Sequence, residues 1–155
     1  MKLLILRRSM KMSKVNFVSS YTATSKANVH DVWSIWADVN NWSKWDSGIA
    51  QAEIRNNFKA GTVFSLTPQG GEPIEVELKT VTAGEEFSDE AVLPFGVIRN
   101  FHRVEKAGEQ IHLTHEVRAE INADAAGFFS AEIWPHMQKG LPEAVHNILA
   151  LVSEA

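Results

Sequence analysis

The sequence contains no cysteine. This absence excludes disulfides, metal sites built on thiolates and cysteine nucleophiles. A Gly-x-Ser-x-Gly nucleophile elbow and a glycine-rich phosphate loop are also missing, because Gly70-Gly71 has the form of a hairpin turn. We therefore predict no cofactor and no metal. Any enzyme built on this chain would work without a metal ion or a covalent nucleophile.

Long apolar runs and an excess of basic residues are missing too. The net charge is −4, with both signs interspersed, whereas a nucleic-acid binder usually carries a basic patch, so nucleic-acid binding is not predicted. The first apolar run, residues 3–6, is too short for a signal-peptide core or a membrane span. We expect residues 1–12 to be a disordered or wrongly started leader that is dispensable, residues 13–155 to be the domain, and the location to be cytoplasmic.

The remaining composition is that of a single globular domain. The chain has 155 residues, of which 45% are hydrophobic and 22% are charged, enough to bury a core without disulfide or metal staples. Apolar and polar residues alternate from Lys14 to Thr24 and in several short stretches between Ala50 and Ile121, which predicts strands joined by short turns. Such strands form an antiparallel sheet.

Helical spacing appears in two places. Residues 28–46 predict two short helices after the first strand, and apolar residues recur every three or four positions from Phe129 to Val152. Pro135 and Pro142 lie inside that second stretch, so we expect a kinked helix or two collinear segments joined near Gly140. The predicted fold is α+β: a curved seven-stranded antiparallel sheet wrapped around a long C-terminal helix.

Three stretches, together with this order of elements, resemble the polyketide cyclase/dehydrase branch of the START/Bet v 1-like (SRPBCC) superfamily. They are the tryptophan-rich residues 32–46, residues 113–117 and residues 140–144. The resemblance implies a helix-grip fold with a deep cavity between sheet and helix, whose mouth is formed partly by the two short helices. Members bind lipids, polyketides, hormones or aromatic compounds, and some are enzymes. None of these stretches is a catalytic signature, so the resemblance identifies the fold and not the activity.

His115 is the polar residue that the pattern places most clearly inside. It shares one face of its strand with apolar residues, whereas His112 faces the other side, so these two histidines cannot share a metal. A two-residue turn at Ala107-Gly108 would pair His115 with Asn100 and bring His102 to the same face. A turn one residue longer would send His102 to solvent, and the sequence leaves both registers open. His115 is then a core histidine with a structural partner, a polar anchor for a ligand or a catalytic base.

The candidate cavity combines an apolar wall with a few polar groups. Trp42 and Trp45 are placed at its mouth, and the carboxylate pairs Glu85-Glu86 and Asp89-Glu90 are expected to be solvated. Tyr21 lies on the apolar face of the first strand and needs a hydrogen-bond partner. The candidate ligand-binding residues are Tyr21, Trp42, Trp45, Val76, Leu78, Asn100, His102, Leu113, His115, Val117, Met137 and Leu141.

Three functions compete at this stage. The first is a carrier or sensor that binds a small hydrophobic or aromatic molecule between the sheet and the C-terminal helix. The alternative is a polyketide cyclase or aromatase acting in the same cavity, which would need positioned proton-transfer groups. A protein-interaction domain is the third. The expected partner is a small hydrophobic molecule, with no membrane span, and a homodimer is left open.

Overall fold

The computed structural model describes residues 13–154 of the chain. The predicted leader, residues 1–12, lies outside the described residues. Among the described residues, no helix is both long enough and apolar enough to cross a membrane.

Seven antiparallel strands form one curled sheet, which confirms the predicted fold class. Their order across the sheet is β1-β7-β6-β5-β4-β3-β2, so the first strand returns to lie beside the last. The strands are β1 Lys14–Ser25, β2 Ile49–Glu53, β3 Val63–Pro68, β4 Ile74–Thr82, β5 Glu86–Leu93, β6 Gly96–Ala107 and β7 Gln110–Asn122.

Two short helices connect the opposite edges of the sheet, β1 and β2. Helix α1, Val29–Ala37, begins at Asn28, whose side chain accepts a hydrogen bond from the His30 N–H. This contact satisfies one of the free N–H groups at the helix start. A 3₁₀ helix, Val39–Lys44, follows directly. Both elements were predicted, and their buried faces supply Trp36 and Trp42 to the interior.

The C-terminal helix is continuous but not uniform. It consists of an α-helical turn, Ala126–Phe128, a π-helical turn, Phe129–Ile133, and helix α2, Trp134–Glu154. The expected joint near Gly140 is wrong, because α2 runs through that residue and contains Pro142. The departure from α geometry comes earlier, immediately before Pro135, where the Trp134 N–H donates to the Phe129 carbonyl. A residue without an N–H that crowds the preceding turn accounts for a departure at this point.

The β6–β7 hairpin settles the register that the sequence left open. Ala107 pairs with Gln110, so the two turn residues are Gly108 and Glu109, and Gly108 has a φ of 66°. His115 therefore lies opposite His102 and not opposite Asn100. The predicted pairing is wrong by two residues. A shift of two residues preserves the face of every side chain, so His102 and Asn100 still point inward.

The core consists of two apolar clusters under the sheet. The first, called here the Trp36 cluster, lies against α1, the 3₁₀ helix and the second half of α2. The second, the Phe129 cluster, lies against the start of the C-terminal helix, and Tyr21 and Leu93 contact both. The largest members of the Trp36 cluster are Trp36, Trp42, Trp45, Phe64, Leu78, Phe87, Ile111, Leu113 and Ile148. The Phe129 cluster contains Ile98, Val117, Ala119, Ile121, Phe129, Trp134 and Leu141.

Candidate functional site

Two adjacent rows of inward-facing residues bring polar groups together on the concave side of the sheet. In one row Asp89 on β5 lies opposite Asn100 on β6. In the next row His102 on β6 lies opposite His115 on β7, which lies opposite Tyr21 on β1. Asn100 and His102 are two residues apart on one strand, so the rows are neighbours on the same face.

His102 and His115 form a buried pair in this second row. Only 7% of His102 and 3% of His115 are exposed. Their ring centroids are 4.4 Å apart, with the planes nearly perpendicular. Phe87 stacks on His102 at 4.1 Å with an interplanar angle of 6°. The cross-strand neighbours therefore fix the orientation of both imidazoles.

Two tryptophans of the helical segment complete this arrangement. The ring of Trp36 lies 5.7 Å from that of His102 and 5.8 Å from that of His115. The ring of Trp45 lies 6.3 Å and 5.7 Å from the same two histidines. Trp42 differs from these two tryptophans because its indole N–H has a partner: it donates to the Trp36 carbonyl at 2.9 Å. The histidine pair is thus enclosed by aromatic rings from three elements.

Four buried side-chain nitrogens in residues 13–154 have no hydrogen-bond partner within the protein. They are Nε1 of Trp36, Nε1 of Trp45, Nδ1 of His102 and Nε2 of His115. All four belong to the ring group just described, and each unmade hydrogen bond of a buried donor or acceptor costs about 1–3 kcal/mol. Such a concentration of unsatisfied polar atoms is a feature that calls for a partner.

Burial also determines the charge state of the two histidines. Loss of solvent lowers the pKa of His115 to about 3. The same effect lowers the pKa of His102 well below its ordinary value, and the neighbouring His115 lowers it further. Both imidazoles are therefore neutral at physiological pH, and each offers one donor and one acceptor nitrogen.

Asp89 is the residue that the sequence analysis misplaced. It was expected on a solvated surface, but it is only 4% exposed and lies inside the sheet. It stands in the middle of β5 between Phe87 and Ala91, which face inward. The alternation of these two apolar residues was the available signal, and the adjacent Glu90 obscured it. The side-chain N–H of Asn100 donates to Asp89 Oδ1 at 3.1 Å.

Burial raises the pKa of Asp89 to about 7, against the lowering effect of the Asn100 hydrogen bond. Asp46, which follows the 3₁₀ helix, adds a further small increase to the Asp89 pKa through its charge. The pKa of Asp46 is itself raised, chiefly by burial and less by Glu143 on α2. Glu143 is held at the surface by the Ser47 hydroxyl, which donates to its Oε1 at 2.5 Å. Burial, and to a lesser extent the charge of Asp46, therefore favours protonation of Asp89 near neutral pH.

Two hydrogen bonds attach α2 to the site. The Tyr21 hydroxyl lies 2.7 Å from His146 Nε2 and bridges β1 and the helix. The Asn147 side-chain N–H donates to the Trp45 carbonyl at 3.1 Å. Tyr21 thus has the partner that its inward position required, and it is a protein group.

The other predicted site residues lie where the pattern placed their faces. Val76, Leu78, Leu113 and Val117 are buried on the inner side of the sheet. On the helix, Leu141 is buried and Met137 is half-buried against the Phe129 cluster. Trp42 and Trp45 are 2% and 3% exposed, so they lie inside and not at an exposed mouth. A ligand-binding role for all these residues stays a prediction.

A concave surface lies at one end of the sheet. It is an open groove of about 1360 Å³ between the start of α1, the β4–β5 turn and the β6–β7 hairpin. The predicted site residues do not line it, but Trp33 does. The Trp33 ring lies 6.2 Å from Trp36 and 6.4 Å from Phe87. Trp33 is therefore the ring between this groove and the histidine pair, and sequence periodicity gave no reason to choose it over the other tryptophans.

Within residues 13–154 there is no group of three or more histidine and carboxylate side chains suited to hold a metal ion. His112 is exposed on the outer face and contacts Thr24. The outer face also carries Arg99, which pairs with Glu90 at 2.9 Å and Glu120 at 3.0 Å. The charged residues of β6 and β7 thus lie opposite the interior site.

Comparisons with known proteins agree with this architecture. The family described as polyketide cyclase / dehydrase and lipid transport matches residues 17–154. Among the curated proteins, none matches the chain significantly.

Several solved structures share the fold at low sequence identity. Norcoclaurine synthase from Thalictrum flavum, in complex with dopamine and hydroxybenzaldehyde, superposes with a TM-score of 0.73 at 14% identity, over 94% of this chain and 91% of that one. Ginseng major latex-like protein 151 from Panax ginseng gives 0.70 at 13% identity, over 88% and 97%. The di-domain ARO/CYC StfQ of steffimycin biosynthesis gives 0.75 at 11% identity, over 96% of this chain and 54% of that one.

Proposed function

Because the chain belongs to the polyketide cyclase / dehydrase and lipid transport family, we propose that it binds a small hydrophobic or aromatic molecule between its sheet and its C-terminal helix. In this role it is a carrier or sensor. The predicted partner is the small molecule itself, and the candidate contacts are the inward residues of β4, β6, β7 and α2 given above.

One observation supports this function above the others. A protein that needed only a stable core would fill the space between sheet and helix with apolar side chains, as the Phe129 cluster does. Here Asp89, Asn100, His102 and His115 interrupt the apolar interior, and both histidines keep an unpartnered nitrogen. A mostly apolar site with a few placed polar groups is the usual form of a small-molecule site.

The related fold of norcoclaurine synthase gives this ligand class further support. That protein has been crystallised with dopamine and hydroxybenzaldehyde, both of which are small aromatic molecules. Aromatic walls suit such ligands, because flat rings pack in edge-to-face and offset arrangements. The four rings of Trp36, Trp42, Trp45 and Phe87 would supply that kind of wall.

The test is a titration of the purified protein with N-phenyl-1-naphthylamine, an uncharged fluorescent probe. We expect saturable binding of one probe per chain. The indole N–H signals of Trp36 and Trp45 in ¹H–¹⁵N NMR spectra should shift more than that of Trp134, which lies in the Phe129 cluster. Trp→Phe variants assign the signals. Non-saturable binding, or shifts confined to exposed residues, would remove the carrier function.

A second function, proton-transfer catalysis of the cyclase type, rests on Asp89. A buried carboxyl group with a pKa of about 7 is both an acid and a base at neutral pH. The Asn100 side chain donates a hydrogen bond to one of its two carboxylate oxygens, Oδ1. Such a group could remove a proton next to a ketone.

Hydrogen–deuterium exchange at the α-carbon of 1-tetralone, followed by NMR, separates the two functions. Catalysis predicts that the wild type accelerates the exchange and that Asp89→Asn does not, while both bind the ketone equally. An Asp124→Asn variant, which changes an exposed aspartate, is the matched control. Exchange at the uncatalysed rate in the wild type would leave the carrier function alone.

A further inference from the structure

The unpartnered nitrogens differ in what they can bind. The indole Nε1 groups of Trp36 and Trp45 are N–H donors and never acceptors. The free ring nitrogens of His102 and His115 are donors or acceptors, depending on the tautomer. At least two of the four groups therefore require an acceptor atom. An oxygen with two lone pairs provides this, whereas an ammonium group, which only donates, leaves both indoles unpaired.

The charges around the site argue against an anionic ligand. Every lysine and arginine of residues 13–154 is exposed except Arg99, which is half-buried on the outer face of the sheet and paired with two glutamates. No cation is therefore available to a buried carboxylate or phosphate, and a buried unpaired charge is costly. The carboxyl groups of Asp89 and Asp46 offer an anion no compensating positive charge either.

The surroundings of these nitrogens define the rest of the ligand. Rings of Trp36, Trp42, Trp45 and Phe87 lie within 4.1–6.4 Å of the histidine rings. They are almost entirely buried, with exposed fractions of 0–3%. Walls of this kind favour a flat, apolar frame over a long flexible chain, because ring-on-ring contacts need defined geometry.

We propose that the molecule bound in the interior carries an uncharged oxygen, as a phenol, hydroxyl or ketone on an aromatic frame, and that Trp36, Trp45, His102 and His115 form the hydrogen-bonding site for that oxygen. This inference rests on the proposed binding function and specifies its ligand class. The neutral state of both imidazoles is consistent with it, since neither repels an uncharged group nor attracts an anion.

A series of four naphthalenes that share one ring frame tests the ligand class. They are 2-naphthol, naphthalene, 2-naphthoate and 2-naphthylmethylammonium, each measured by displacement of N-phenyl-1-naphthylamine at neutral pH. We expect 2-naphthol to bind about tenfold more tightly than each of the other three, the difference that one or two neutral hydrogen bonds provide. Equal or tighter binding of the carboxylate or the ammonium compound would overturn the assignment.

Variants then locate the oxygen. His115→Phe removes the imidazole but keeps an aromatic ring, so 2-naphthol should bind it no better than naphthalene does. His112→Phe, on the outer face of the same strand, should retain the wild-type preference. Trp45→Phe removes one N–H and keeps a smaller aromatic ring in its place, and it serves where His115→Phe does not fold. The preference of Trp45→Phe for 2-naphthol over naphthalene should fall by a few fold. An unchanged preference in both Trp45→Phe and His115→Phe would refute the proposed contacts.

The outcomes separate this inference from the function on which it rests. If neither N-phenyl-1-naphthylamine nor any of the naphthalenes binds, the binding function itself fails. If naphthalene and 2-naphthol bind equally well, the binding function stands and the oxygen site is refuted. If the protein prefers 2-naphthol, and if His115→Phe or Trp45→Phe reduces this preference while His112→Phe does not, the result supports both the binding function and the oxygen site.

Discussion

The Trp36 cluster and the Phe129 cluster lie under the same sheet, yet they differ in chemistry. In the Phe129 cluster, Phe129 packs on Phe17 at 5.0 Å with a tilt of 63°. Among the described residues, no member of this cluster has a buried side-chain nitrogen or oxygen without a hydrogen-bond partner. The Trp36 cluster surrounds a histidine pair and holds all four of the unpartnered buried nitrogens in residues 13–154. The same curled sheet therefore supports a conventional core at one end and a polar site at the other.

This contrast distinguishes apolar packing, which stabilises the fold, from buried polar atoms, which lower stability unless they find a partner. Apolar packing gains stability with every buried methyl or ring, and the Phe129 cluster meets that expectation. Unsatisfied nitrogens lower stability, so a sequence under no other requirement would replace them with apolar groups. Their presence at one end only is the reason why the proposed ligand site is placed there.

The largest effect is expected from Phe129→Ala in the apolar cluster. Phe129 is 1% exposed and contacts Phe17, Phe95 and Trp134. Its removal leaves a cavity and should lower the free energy of unfolding by about 3–5 kcal/mol. If the ligand is held mainly by the Trp36 cluster, probe affinity of the folded variant should stay within about threefold of the wild type. Phe129 itself is not a candidate contact, although Val117, Met137 and Leu141 beside it are. Chemical denaturation and probe titration measure the two quantities.

The neighbouring Phe128 provides the control for this change. It is 68% exposed, so Phe128→Ala should alter the free energy of unfolding by no more than about 0.5 kcal/mol. A folded Phe129→Ala protein that no longer binds the probe would reverse the comparison and place the ligand in the Phe129 cluster.

The sequence was sufficient to predict the fold class and, in strands with a clear alternation, which side chains face the interior. Period-two alternation placed His115 inside, and its 3% exposure confirms that position. The same reasoning works for helix α2, because burial of one apolar stripe against the sheet is a property of the local pattern. These features depend on residues that are close in sequence, which explains why they could be read directly.

Features that depend on pairing between strands were harder to predict from the sequence. The two-residue error at the β6–β7 turn arose because Ala107-Gly108 and Gly108-Glu109 are both acceptable turns, and only the packing of the whole sheet selects one. Asp89 was misplaced because its carboxylate suggested solvent, while its partner Asn100 is on another strand. The four-nitrogen site likewise joins residues from α1, the loop after the 3₁₀ helix, β6 and β7, which no local pattern connects.

A further prediction concerns Asp89 and the pH dependence of stability, an effect that builds up gradually as the pH rises. The pKa of this carboxyl rises from an ordinary value of 3.8 to about 7 on folding. Between these values the folded protein retains a proton that the unfolded chain has lost, so ionisation of Asp89 lowers stability as pH rises. Asp89→Asn removes this loss. Relative to the wild type, the variant should gain at most about 1.4 kcal/mol per pH unit from about pH 4 to pH 7, and nothing further above it.

Denaturation curves of the wild type and of Asp89→Asn across this pH range give the difference in their free energies of unfolding. Titration of His102 and His115 contributes equally to both proteins, so it cancels in that difference. Asp124→Asn provides the reference curve for loss of an exposed aspartate. Wild-type and Asp89→Asn curves that run parallel throughout would mean that Asp89 is ionised at ordinary pH and that the polar rows are as hydrated as the surface. The polar end of the interior would then be a solvated cleft, and the contrast with the Phe129 cluster would reflect exposure and not a site prepared for a ligand.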